Sequence, residues 1–159
     1  MESCLEEIKK QYEEIKKKYN LPSFDDLNKE FGIERVQEQE TEYLLREIRK
    51  YVADKLQGYG RFAEGVLHPV NGTILVFSFI KAMTSEEKEK LSNIYKKIAR
   101  LEIDLLGIEA DYSEEKEAQF VKEGYEIWQE IKKEFLEILE VVKSNWDNKF
   151  EVNGKGYFG

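Results

Sequence analysis

The sequence predicts an all-α protein, an antiparallel bundle of three to four long helices plus short ones, with a hairpin-like C-terminal tail. Three observations carry that expectation. Apolar residues recur at three- and four-residue steps through most of the 159 residues. Charged residues make up 36% of the chain against only two prolines, a balance that suits long solvated helices. Candidate caps stand where the periodic segments begin and end. The length suits one bundle domain over residues 1–146, followed by a tail over 147–159.

The first helix is marked by Leu5, Ile8, Tyr12, Ile15 and Tyr19, which a 3.6-residue period places on one stripe. Glu6 with Lys10 and Glu13 with Lys17 stand four apart with the acid first, the favourable order. Asn20 and Pro22 end this helix, and Ser23 caps a short second one over residues 24–31, closed by Gly32. A third helix is expected over residues 38–67, with Leu45, Ile48, Val52, Leu56, Tyr59, Ala63 and Val66 on its buried stripe. Gly58, Gly60 and Gly65 interrupt it and read as a bend or a close helix crossing, with a stop at Gln57 the open alternative.

Residues 68–72 form a loop by their turn residues. The run 73–83 that follows is apolar without a clear period, and reads as a buried connecting helix capped by Asn71. A buried strand competes, because β-branched and aromatic residues are frequent there. The cluster Phe77, Phe79 and Ile80 is assigned to the core, with an exposed partner-binding patch as the other reading. Thr84 or Ser85 starts the next helix, whose stripe is Leu91, Ile94, Ile98, Leu101, Leu105 and Ile108. Ser113 caps the last long helix, which carries Phe120, Trp128, Ile131, Phe135, Ile138, Val142 and Trp146 and is expected to end near Asn145 or Trp146. Asn153-Gly154, flanked by Lys149–Val152 and Lys155–Phe158, is a type I′ hairpin signal.

Function classes are excluded next. The net charge of −8 disfavours broad nucleic-acid and anionic-membrane binding. Residues 1–18 alternate charge with isolated apolar residues, unlike a signal peptide, and the apolar run 73–80 is too short to span a bilayer. With one cysteine, Cys4, no internal disulfide forms, and the expected setting is the cytoplasm. The Glu- and Lys-rich, His- and Cys-poor composition leans toward that of heat-adapted proteins.

No cofactor and no metal are expected. One histidine and no Glu-x-x-His pattern leave no di-iron ligand set. Glu102 and Glu109 with Tyr95, and Glu123, Glu130 and Glu137, read as charged edges beside the apolar stripes. Cys4 lies at an N-terminus expected to fray and has no evident base, and no Gly-Lys-Ser/Thr follows Gly58-Tyr59-Gly60.

Arg61 and His68, separated by six residues at the end of the third helix, form the one catalytic candidate. The pair resembles the Arg-x(4–6)-His motif of HEPN-type ribonucleases. The resemblance implies a dimeric RNA-cleaving cleft, with His68 as general acid or base and Arg61 holding the scissile phosphate. The chain departs from the pattern in Phe62 after the arginine and Pro69 after the histidine. The stretches 21–31, 44–49 and 85–91 resemble small uncharacterised helical proteins of archaea, which implies a cytoplasmic archaeal origin and brings no activity or site residues. The leading expectation is a non-enzymatic interaction or scaffold module, with a homo-oligomer or another protein as partner. The HEPN-like ribonuclease is the alternative.

Overall fold

The computed structural model describes residues 3–38 and 41–147. In chain order the elements are α1 (Cys4–Tyr19), α2 (Phe24–Phe31), a 3₁₀ helix (Ile33–Glu38), α3 (Leu44–Leu67), α4 (Ile74–Ala82), α5 (Ser85–Ala110) and α6 (Glu114–Phe158). The protein is all-helical, with no strand among the described residues. No helix is long and apolar enough to cross a membrane. The hairpin expected over 149–158 lies outside the described residues.

By its contacts the chain divides into two units, residues 1–57 with 100–128 and residues 58–99 with 129–159. The long helices α3, α5 and α6 each contribute a stretch to both.

In the first unit, short helices cap sharply because their end residues satisfy the backbone. Ser3 and Glu6 form a reciprocal capping box at the start of α1, and Cys4 is the first residue of that helix. Asn20 closes α1 and Gly32 closes α2, both in the left-handed conformation that these two residue types tolerate best. Tyr12 is fully buried, its ring edge-on to Phe24 and its hydroxyl donating to the Pro22 carbonyl at 2.5 Å. Ile33 and Val36 are buried three residues apart, a spacing that a 3₁₀ helix places on one face. That turn delays the third long helix: α3 starts at Leu44, not at residue 38, with the Tyr43 carbonyl accepting its first bond.

In this unit α3 and α6 run in the same direction. Arg49 meets Glu117, Val52 and Leu56 meet Gly124, and Lys55 lies over the Trp128 ring. The close approach in this unit is made at Gly124 of α6, and of the α3 glycines Gly58 and Gly65 make none. A Cβ on Gly124 would stand 2.8 Å from Val52 Cγ1, whereas Cβ atoms on Gly58 and Gly65 would meet nothing within 4 Å. α3 is continuous through all three of its glycines.

In the second unit α5 and α6 run in opposite directions, as Lys97 with Glu130 and Lys90 with Glu137 show. Phe62 packs edge-on against both Phe79 and Phe135, and Tyr59 adds a second edge-on contact to Phe135. The run 73–83 is helical, so the strand alternative is set aside. Its cap is Thr73, whose hydroxyl accepts from Val76 N, and not Asn71. α6 continues through Trp146 and Asp147, past the end expected for it, because neither residue breaks a helix. The expected stripe of α5 is buried along its whole length, and that of α6 from Phe120 to Val142.

Candidate functional site

Arg61 and His68 both lie in the second unit, Arg61 on α3 and His68 one residue beyond its end. Both are exposed. The His68 backbone N–H donates to the Glu64 carbonyl at 2.8 Å, and among the described residues no hydrogen bond or ion pair joins the Arg61 and His68 side chains to each other or to a third group. Cys4, the other isolated candidate, is exposed and its thiol donates weakly to the Gln37 carbonyl at 3.5 Å.

The acidic rows settle into edges. Glu109 pairs with Arg49, Glu130 with Lys97, and Glu137 with Lys90, each across two helices. Glu123 accepts from the Gln119 amide on its own helix. The Lys97–Glu130 and Lys90–Glu137 pairs are exposed at both ends and contribute about 0–1 kcal/mol each. Among the described residues no three His, Cys, Asp or Glu side chains gather as a metal site would require.

One ionic group was not foreseen. Glu117 of α6 and Arg49 of α3 are 1% and 3% exposed and meet in a two-pronged contact: Arg49 Nε donates at 2.6 Å and Nη2 at 3.2 Å. Arg49 Nη1 reaches Glu109 at 3.3 Å. The signal was present in the spacing. Counting back from Trp128 by fours and threes through Gly124 and Val121 lands on Glu117, so a carboxylate occupies a core position. Around it, Tyr19 donates to Glu114 at 2.8 Å, and Tyr43 and Tyr112 stack edge-on with centroids 5.0 Å apart. Desolvation, followed by the neighbouring Glu114 and Glu117 charges, raises the Tyr112 phenol above its ordinary range. The Arg49–Glu117 contact joins α3 to α6 and is closed off from solvent.

A groove between α5 and α6 in the first unit has Ile103, Ile108 and Phe120 in its wall and a rim of Arg100, Asp104, Lys116 and Glu123. Its rim alternates in sign, so it selects no charge class of ligand.

The feature without an internal role is the outer face of α4 and the loop before it. Val70 is 86% exposed, Ile74 73%, Leu75 61% and Phe77 47%. The expectation of a buried connector therefore holds for half of the helix only. Phe79 and Ala82 enter the core and Ile80 is half-buried, while the opposite face is bare. The cause is composition: α4 reads Ile-Leu-Val-Phe-Ser-Phe-Ile-Lys-Ala, apolar all round, and one helix can turn only one side inward. No protein family, characterised protein or solved structure matches this chain.

Proposed function

We propose that the chain is a non-enzymatic interaction module, an all-helical protein that acts through helix-face contacts centred on α4. The observation that carries this reading is the exposure of Val70, Ile74, Leu75 and Phe77 within eight residues of the chain. Contiguous apolar patches on a folded chain mark contact surfaces, because their hydration is unfavourable until something covers them. The single cysteine and the acidic, lysine-rich surface fit a reducing, cytoplasmic setting for such a module.

The test is a photoreactive side chain placed at Leu75, compared with one at Lys88, an exposed charged position on α5. In cell extract, the Leu75 probe is expected to form discrete adducts with polypeptide and the Lys88 probe to react mainly with water. Equal labelling at the two positions overturns the reading.

A further inference from the structure

We propose that the bare face of α4 takes a second copy of this chain, packed two-fold on the same residues. This rests on reading the chain as an interaction module, and it names the partner.

Area supports this occupant. Val70, Ile74, Leu75 and Phe77, at 86%, 73%, 61% and 47% exposure, together present roughly 500 Å², the size of the largest patch on an ordinary monomer. Paired with itself, that patch buries roughly 1,000 Å² in all, the lower bound for a specific interface. Such an interface forms reversibly and depends on concentration.

Charge selects it over other partners. The chain carries −8, so two copies repel wherever their acidic surfaces face each other. Residues 69–80 contain no charged side chain, and here two copies can meet without bringing like charges together. A strongly basic or acidic partner finds no counter-charge within the patch. A two-fold contact is self-complementary, apolar against apolar, and closes at two chains. A second exposed apolar pair, Ile103 and Leu106 on α5, stands beside Arg100, Asp104 and Glu109, and serves as the control face.

The experiment is sedimentation equilibrium of the purified full chain from about 1 to 500 µM at low and high NaCl. The mass is expected to rise from one chain of 18.8 kDa toward two with concentration. Added salt strengthens the association, because it screens the repulsion and leaves apolar burial intact. The double variant Ile74→Glu, Leu75→Glu lowers the association constant at least about tenfold, equivalent to about 1.4 kcal/mol. The Ile103→Glu, Leu106→Glu variant leaves it unchanged. Should circular dichroism show helix loss in the first variant, Ile74→Ser, Leu75→Ser carries the same expectation without the charge. A single-chain mass at every concentration, dissociation by salt, or undiminished assembly of the α4 variants overturns the proposal. A monomeric purified chain whose Leu75 probe still couples to a different polypeptide in extract overturns self-association alone. Failure of both probes ends both readings.

Discussion

α2 and α4 are short helices of eight and nine residues, and they treat their apolar side chains in opposite ways. α2 buries Phe24, Leu27 and Phe31, and turns Asp25, Asp26 and Lys29 to solvent. α4 is richer in apolar residues, yet it buries only Phe79 and Ala82 along its length. The contrast extends to the units that contain them. The first unit hides even a charge pair, Arg49–Glu117, while the second keeps its ion pairs outside, where Lys97 reaches Glu130 and Glu134. Apolar content alone therefore does not tell where a helix sits. The sides that a helix can cover at once decide it, and α4 has one apolar side too many.

The largest effect expected from breaking this contrast is in the buried pair. Glu117→Ala strips the two-pronged contact from the buried Arg49 and leaves it only the single Nη1 contact to the half-exposed Glu109, and is expected to cost about 3–5 kcal/mol in urea denaturation. Lys97→Ala in the second unit costs at most about 1 kcal/mol, because both ends of its pairs face water. Equal losses would erase the distinction between the units.

Leucine truncation sharpens the comparison of the two short helices. Leu27→Ala removes a fully buried side chain of α2 and is expected to cost about 2–5 kcal/mol. Leu75→Ala on α4 stays within about 0.5 kcal/mol when measured on dilute, unassociated protein.

Glycines give opposite signs. Gly124→Ala in the first unit drives a methyl into Val52 and is expected to destabilise by about 1–3 kcal/mol. Gly58→Ala in the second unit meets open space within a helix and is expected to stabilise by up to about 1 kcal/mol, read as a higher melting temperature.

Alkaline titration probes the first unit alone. Burial pushes the Tyr12 phenol well above its ordinary range. The folded form then stays protonated while the unfolded chain ionises near the ordinary value of about 10. The resulting stability is fully present below about pH 10 and is lost as pH rises further. Tyr12→Phe should flatten that decline, and cost about 1 kcal/mol at neutral pH through the lost bond to the Pro22 carbonyl.

The smallest effect is expected at His68. As an exposed residue past the end of α3, its replacement by alanine should change stability by less than about 0.5 kcal/mol. On the interaction reading, RNA incubated with wild type or with the variant stays intact. Cleavage by wild type alone would move Arg61 and His68 from the surface into a mechanism.

Much of the local structure was legible because its causes are local. Ser23 and Gly32 bound α2, and Asn20 ends α1, through hydrogen bonds that span three to five residues. The α5 stripe from Leu91 to Ile108 follows from a period that needs no neighbour to define it. The start of α3 was not legible, because the 3₁₀ turn over Ile33 and Val36 exists to bury those two side chains against other elements. The candidate face is barely legible: of the cluster Phe77, Phe79 and Ile80, whose alternative reading is an exposed patch, only Phe77 is exposed, and nothing in the local pattern marks Val70, Ile74 and Leu75.

From sequence alone, then, came the helical class, the caps and the inward stripes, all products of backbone bonding and 3.6-residue spacing. Tertiary structure alone decided which glycine admits a neighbouring helix, which charges go inside, and which side of α4 faces outward. Those outcomes depend on what stands opposite a residue across a helix pair. A periodicity read along one strand of text contains only one side of that pair.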